Sequence, residues 1–441
     1  MTVISLLNRY AFGVGVPIFL LSLGIFYCFK LRFFCFLHPI KIARALFGAE
    51  GGTRASSLKA LTLALAGTLG VGNMVGVASA ITLGGFGAVF WMWVSAFFAM
   101  ILKYAEIVLA LRYRRFDENG QPYGSAMYYI EACFGGKRVG RIIGAVFAFF
   151  CLLNSISMGS MIQVNAASNA VKSAFGAPCV VIGLAFAMIA LWSMLKGAKG
   201  IMRVTEKLVP FMTLGFVVLS VSVIVVRPSE TVRAFELIFD NAFEFDSAAG
   251  GVIGFLLSRS LRFGAMRGIL SNEAGCGTAP TAHASCDCRE PARQGVFGIF
   301  EVFVDTIVLC TLTALVIIIG YRGEIPTESN YMVITLRAYS SVLGNAAGYF
   351  IATSVLLFGL ATVLCWGYYG MSSAEYLVGR TKKSRAFIFI YAISVVLGSV
   401  LSSDMIWECA DLSIGVMSMI NLTALLIMSG EVKRETEEYF G

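Results

Sequence analysis

The feature that most constrains this chain is a series of eleven long apolar runs, most of them about 17 residues or longer. A run of that length, wound as a helix, crosses the hydrocarbon core of a bilayer. The runs lie near 11–29, 58–82, 86–111, 139–171, 180–195, 208–226, 248–270, 294–319, 346–378, 386–402 and 410–429. In lipid, an α-helix satisfies its backbone polar groups within one segment. The sequence therefore predicts an all-α integral membrane protein with about eleven transmembrane helices.

The composition argues against a water-soluble protein. Of the 441 residues, 58% are hydrophobic and 14% are charged, whereas soluble domains have about 45–50% and about 25%. The basic residues lie between the apolar runs and not on one face, so we expect no nucleic-acid partner. The 11 cysteines lack paired spacing, and we interpret them as small core residues.

The distribution of lysine and arginine predicts the orientation of the chain in the membrane. With the N-terminus outside, cytoplasmic segments carry 27 of the 34 bases, the outer side carries six, and Lys103 lies within a span. Cytoplasmic loops are enriched in these residues. The first run is longer than the apolar part of a signal peptide and has no cleavage site, so we expect a retained helix. We expect a multi-pass cell-membrane protein with an outer N-terminus and a cytoplasmic C-terminus.

The number of runs suggests an internal repeat of five helices. Five helices per half force the two halves into opposite topologies, as in many secondary transporters. The predicted parts are a leading helix with its linker (1–57), a first repeat (58–226), an outer connection (227–247), a second inverted repeat (248–429) and a tail (430–441).

The helix that opens each predicted repeat is rich in glycine. The second helix contains Gly67, Gly70, Gly72 and Gly76, and the seventh contains Gly250, Gly251, Gly254, Gly264 and Gly268. Glycine-interrupted helices in corresponding positions point to a binding site near the middle of the membrane. The sequence therefore predicts that the second and seventh helices are broken.

The run GTLGVGNMVG (67–76) has two interpretations. Gly72 and Gly76 form a GxxxG pattern, which allows close helix packing. Alternatively, the run is a non-helical break whose free N–H groups bind a carboxylate while its free carbonyls bind a cation. Asn73 favours the second interpretation, because a carboxamide among apolar residues needs polar partners. A dinucleotide-binding loop is excluded, since no strand precedes the run.

Other polar residues within the apolar runs have both structural and functional interpretations. Gln163 and Asn165 suit either a binding site or hydrogen bonds between helices. Glu301 and Asp305 share a helix face, and carboxylates within a span are often functional, although pairing with a buried base is equally consistent. Lys103 is three residues before Glu106, so we interpret these two as a local ion pair.

No catalytic or metal-binding set is evident in the sequence. His283, Cys286 and Cys288 imitate metal-ligand spacing, but no second ligand pair follows, so we expect no zinc site. No Ser–His–Asp set and no phosphate-binding loop is found. The sequence therefore favours a transporter without a cofactor over a membrane-embedded enzyme. A channel is less favoured, because neither a ring of charge nor a short filter loop is evident.

Several long segments, in order, resemble the alanine or glycine:cation symporter family. They are GVGNMVGVASAITLGGFGAVFWMWVSAF (70–97), YGSAMYYIE (123–131), LRFGAMRGILSNEAGCGTAP (261–280), RQGVFGIFEVFVDTIVLCT (293–311), FGLATVLCWGYYG (358–370) and MSMINLTALL (417–426). The resemblance covers nearly the whole chain. It implies the five-plus-five fold of sodium-coupled amino-acid transporters, with one extra helix in front.

The resemblance also implies a substrate site between the second, fourth, seventh and ninth helices. Asn73 and the glycine backbone at Gly70 and Gly72 would bind the carboxylate of a small amino acid, alanine or glycine. Gln163 would contact its polar end. Thr362 and Trp366 would line the pocket, with the indole limiting side-chain size.

By the same resemblance, sodium would bind between the broken second helix and the ninth helix. The expected ligands are the carbonyls of Gly70, Asn73 and Phe358 and the hydroxyl of Thr362, and oxygen ligands suit a hard cation. Family members usually have a serine just before this threonine, whereas this chain has Ala361. Proton coupling through Asp305 or Glu301 therefore stays an alternative. The oligomeric state is left open.

Overall fold

The computed structural model describes residues 7–48, 54–136, 138–243, 258–328, 330–401 and 404–441. Within these residues, seven helices are long and apolar enough to cross a membrane, and a bent pair of helices makes an eighth crossing. The three other predicted runs correspond to shorter helical segments. All eleven predicted helices therefore have a helical counterpart.

We label the membrane helices in chain order as α1 to α11. They are α1 (Phe12–Lys30), α2a (Ala55–Thr68), α2b (Gly72–Gly84), α3 (Gly87–Arg112), α4 (Arg138–Phe175), α5 (Cys179–Leu195), α6 (Gly200–Val226), α7 (Arg259–Asn272), α8 (Pro291–Gly320), α9 (Asn345–Val378), α10 (Lys382–Gly398) and α11 (Met405–Ile427).

Shorter elements connect these helices. The short helices are Phe34–Leu37, Pro39–Phe47, Ala126–Cys133, Pro228–Ala242, Ala279–His283, Tyr331–Leu343 and Ser429–Phe440. A two-stranded antiparallel hairpin, Arg115–Phe116 with Pro122–Tyr123, follows α3.

The second helix is broken, as the sequence predicts. Its halves, α2a and α2b, differ in direction by 48°. At the break the Gly70 N–H bonds to the Thr68 carbonyl at 2.8 Å, so the Ala66 carbonyl loses its usual α-helical donor four residues ahead. The break therefore frees backbone groups in the interior of the protein.

The seventh helix is also interrupted, and in the part of it that the structure describes the interruption follows Asn272. α7 ends at Asn272, and a turn with positive φ at Glu273, Gly275 and Gly277 leads into the short helix Ala279–His283. The helical segment thus continues beyond the predicted end at 270.

The predicted glycines of the seventh helix have a different role where they are described. Gly264 and Gly268 lie inside α7 and pack against α3, where a Cβ would overlap Ala88 and Ser95 respectively. They allow close approach of two helices. Gly250, Gly251 and Gly254 lie outside the described residues.

The helices sort into an interior set and a peripheral set. α3 and α9 are mostly buried, and α3 packs against α7 and α8 while α9 packs against α4 and α6. On α6, by contrast, Phe211, Leu214 and Val225 are 72%, 66% and 70% exposed. Large exposed apolar side chains on a long apolar helix are typical of a lipid-facing surface. The interior set therefore includes α3 and α9, and the peripheral set includes α6.

Candidate functional site

The break in the second helix is capped by a side chain from α4. The Val71 N–H donates to Oε1 of Gln163 at 3.0 Å, and Nε2 of Gln163 lies 3.3 Å from the Met158 carbonyl. Gln163 is buried. An N–H group freed at the end of a helix requires such an acceptor. The break therefore leaves the Val71 N–H as a free backbone donor, and in this structure the carboxamide oxygen of Gln163 accepts from it.

A second polar side chain, that of Thr362 on α9, contacts the same break. The Thr362 hydroxyl lies 2.9 Å from the Ala66 carbonyl and 3.0 Å from the Phe358 carbonyl. Its single proton can be donated to only one of them. A Cβ built on Gly70 would lie 2.6 Å from Oγ1 of Thr362 and 2.9 Å from Oε1 of Gln163. The site thus requires glycine at position 70.

Asn73 faces a different helix. Its Nδ2 donates to Oδ1 of Asp305 at 2.7 Å and lies 3.2 Å from the Asp305 carbonyl. Among the described residues its Oδ1 has no hydrogen-bond partner, although it is buried. The predicted residues therefore fall in two groups: Gly70, Gln163, Phe358 and Thr362 meet on one side, whereas Asn73 contacts α8.

Asp305 is the centre of this second group. Ser271 and Thr306 each donate a hydroxyl to its Oδ2 at 2.8 Å, in addition to the bond from Asn73. All three side-chain donors are neutral, and Asp305 is fully buried. Gly72 lies close by, because its Cβ would be 3.8 Å from Cα of Ser271. The last turn of α7 therefore contacts α2b at this point.

Trp366 lies between α4 and the break of the seventh helix. Its indole N–H donates to Oε1 of Glu273 at 3.1 Å, and its ring makes an edge contact with Tyr369. A Cβ on Gly159 would overlap the indole. Gly159 stands one turn before Gln163 in the sequence. The indole therefore packs directly on the helix that carries Gln163.

The interpretation of Lys103 and Glu106 as a local pair was wrong. Nζ of Lys103 lies 2.8 Å from Oε1 of Glu301, and both side chains are fully buried. Glu106 instead accepts from the Gly277 N–H at 3.0 Å and from Nδ2 of Asn421 at 2.6 Å. Glu106 therefore caps the turn after α7, and the alternative pairing of Glu301 with a buried base is confirmed.

The other polar motifs also have direct contacts. His283 lies 3.1 Å from Glu301 through Nε2 and 2.9 Å from Gln294 through Nδ1. Asn165 donates to the carbonyls of Gly398 and Leu401 at 3.1 and 3.0 Å. Asn165 therefore makes hydrogen bonds between segments, which is the structural interpretation.

Sequence reasoning missed residues at both breaks. Ala66 carries an unremarkable side chain, and only its carbonyl reaches the site. Ser271 and Glu273 had a signal, because SNE (271–273) is a polar run directly after an apolar helix. Their partners lie on helices distant in sequence, so the signal does not reveal their role.

This geometry defines a class of protein, a membrane transporter built around two interrupted helices, and the comparisons agree with it. A family model described as "Sodium:alanine symporter family" matches residues 1–441. The sodium/alanine symporter AgcS of Methanococcus maripaludis is 35% identical over 99% of this chain and 97% of its own length. A probable sodium/glutamine symporter, GlnT of Bacillus subtilis, is 32% identical over 99% and 90%. The chain belongs to the sodium:alanine symporter family.

A solved structure shows the same fold. A Na+-coupled sialic acid symporter in a substrate-bound outward-open state superposes with a TM-score of 0.59 at 15% identity, covering 96% of this chain and 98% of that one. The predicted fold class, eleven helices with an inverted repeat and two broken helices, is therefore confirmed. The chain is a multi-pass membrane transporter of a sodium-coupled amino-acid symporter family, and the family and its structural neighbour are transporters and not enzymes.

Proposed function

We propose that this protein imports a small neutral amino acid, alanine or glycine, together with sodium by alternating access. The observation that carries the proposal is the pair of contacts at one break. Gln163 accepts from the freed Val71 N–H, and Thr362 meets the freed Ala66 carbonyl. The same short segment therefore offers a donor for a carboxylate and an acceptor for a cation.

The carboxylate of the substrate binds, in this proposal, at the N–H of Val71 and the backbone around Gly70 and Gly72. The oxygen of Gln163 stands at the Val71 N–H, 3.0 Å from the nitrogen, and a carboxylate oxygen makes the same bond more strongly because it is charged. Gln163 then turns its carboxamide to the bound substrate. The glycines permit close approach of the ligand to the backbone.

Asn73 has a role at the other end of the substrate. Its NH2 group is bound to Asp305 at 2.7 Å, and its Oδ1 is free of partners among the described residues. An oxygen without a donor is costly when buried. Asn73 therefore suits the ammonium group of an amino acid, and not the carboxylate that the resemblance implies.

Sodium binds between α2a and α9 in this proposal. Thr362 supplies a hydroxyl, and Phe358 and Ala66 supply carbonyls within 3.0 Å of that hydroxyl. In this proposal the carbonyl of Ala66, one turn before Gly70, replaces the carbonyls of Gly70 and Asn73 that the resemblance implies. Ala361 offers no hydroxyl, so the site has few ligands and binds sodium weakly.

A proton is the second candidate for the coupling ion. The side-chain donors that contact the Asp305 carboxylate are all neutral, whereas Glu301 pairs directly with Lys103. A buried carboxylate without a counter-ion in direct contact is expensive to keep charged. Asp305 is therefore favoured over Glu301 as a site that exchanges a proton.

The size limit on the substrate is tested with a panel of amino acids in proteoliposomes. Alanine and glycine should compete with labelled alanine, whereas leucine and glutamine should not. Trp366→Ala should weaken alanine uptake and admit larger side chains. The matched control is Trp192→Ala, because Trp192 is 53% exposed on α5. A wild-type protein that prefers glutamine would overturn the proposed substrate.

A further inference from the structure

Glu273 is a buried carboxylate at the interruption of the seventh helix. It follows the last residue of α7 and is 3% exposed. Both of its oxygens are occupied: Oε1 accepts from the Trp366 indole, and Oε2 accepts from the Thr278 hydroxyl at 2.7 Å. The carboxylate thus joins the two sides of the turn to α9.

The backbone of Glu273 is held in a conformation that favours glycine. Its φ is 54° and its ψ is 16°, which lies in the left-handed region that residues with a Cβ seldom adopt. Such a conformation persists only where the surroundings fix it, and it is found frequently at functional sites. Here the Glu273 N–H bonds to the Ile269 carbonyl at 2.8 Å. The side chain is therefore aimed by a well-determined turn.

The indole of Trp366 is buried, and it packs against Gly159 and edge-on against Tyr369. These contacts leave its one polar atom, Nε1, unsatisfied. A buried indole N–H needs an acceptor, and Glu273 supplies it at 3.1 Å. The direction of the N–H, and with it the orientation of the ring, therefore depends on the Glu273 carboxylate.

We propose that Glu273 is a positioning residue that sets the size selectivity of transport by fixing the indole of Trp366. The inference rests on the proposed function, in which that indole limits the substrate side chain. According to this proposal, the limit on substrate size also depends on the turn after α7. Movement of that turn moves the Glu273 carboxylate, and the indole of Trp366 moves with it.

Three variants test this proposal. Glu273→Ala removes the acceptor, Glu273→Gln keeps one in place, and Trp366→Phe keeps an aromatic ring without the N–H. The measured quantity is the ratio of kcat/KM for leucine to that for alanine in proteoliposomes. Since one methylene in a hydrophobic pocket changes selectivity by about 10- to 200-fold, we expect at least about a tenfold rise in this ratio for Glu273→Ala and Trp366→Phe.

The conservative and double variants separate positioning from a merely structural role. Glu273→Gln should restore the wild-type ratio, and Glu273→Ala combined with Trp366→Phe should shift it no further than either change alone. Lower uptake of both substrates with an unchanged ratio in Glu273→Ala would overturn the proposal, whatever the result for Trp366→Phe, because phenylalanine is also smaller than tryptophan. If Glu273→Ala does not fold, Glu273→Asp decides the test, because its carboxylate is one methylene shorter and lies farther from the indole; an unchanged ratio in that variant overturns the proposal as well. Wild-type protein that transports neither substrate would instead overturn the proposed function.

Discussion

The ammonium of Lys103 lies 2.8 Å from the carboxylate of Glu301 and 2.6 Å from the carbonyl of Asn272. Glu301 in turn lies 3.4 Å from the Thr68 hydroxyl. Thr68 is the last residue of α2a and Asn272 is the last residue of α7. One buried ion pair on α3 and α8 therefore contacts the ends of both interrupted helices.

This ion pair should be essential for stability. Lys103→Met leaves the Glu301 carboxylate buried without its counter-ion, and breaking such a pair costs about 3–5 kcal/mol. We expect a large drop in the thermal unfolding midpoint of the detergent-solubilised protein. Adding Glu301→Gln should recover part of the loss, because no unpaired charge is then left. Equal stability of Lys103→Met and wild type would show that the pair contributes little.

Substitution by alanine should have different effects at two glycines of the same interrupted helix. A Cβ at Gly70 would meet Oγ1 of Thr362 and Oε1 of Gln163, whereas a Cβ at Gly76 meets nothing within 4 Å. Displacing a buried polar contact costs about 1–3 kcal/mol, which is roughly five- to more than one-hundred-fold in affinity. Gly70→Ala should therefore lose alanine binding by that factor.

Gly76→Ala is the matched control for this experiment and should bind alanine as the wild type does. Isothermal titration or stabilisation by alanine gives the affinity of both variants. Equal losses in the two variants would mean that the interrupted helix merely tolerates no side chains, and that Gly70 has no particular place in the site.

How far the sequence predicts this structure differs between the fold and the site. The apolar runs predict the helices, because lipid requires long apolar segments, and the glycines around Gly70 predict the first break. The second break was harder to locate, since Gly264 and Gly268 serve helix packing and not the interruption. Glycine alone does not distinguish these two uses.

The partners of buried polar residues were the least predictable part. Lys103 looked like a local partner of Glu106 because they are three residues apart, yet its partner, Glu301, is on α8. Lys103 pairs with the distant carboxylate because α3 packs against α8 in the interior. There a buried charge must contact its counter-ion directly. The polarity of Asn73 within an apolar run indicates a role in the site, but which helix it faces depends on the bend between α2a and α2b.

The hydroxyl content of the proposed sodium site should set the affinity for sodium. Thr362→Ala removes the only side-chain ligand in the proposal and should nearly eliminate the dependence of alanine uptake on sodium. Ala361→Ser adds a hydroxyl next to Thr362 in the sequence and should lower the sodium concentration for half-maximal uptake. The check is a sodium titration of uptake for both variants. An unchanged sodium response in both would remove Thr362 from the ion site.

The most direct measurement of the central proposal is uptake of labelled alanine into proteoliposomes with the two ion gradients imposed separately. An inward sodium gradient at equal pH should drive accumulation above equilibrium, and a pH gradient without sodium should not. Accumulation that follows the pH gradient and ignores sodium would contradict sodium coupling and make Asp305 the first candidate for the coupling site.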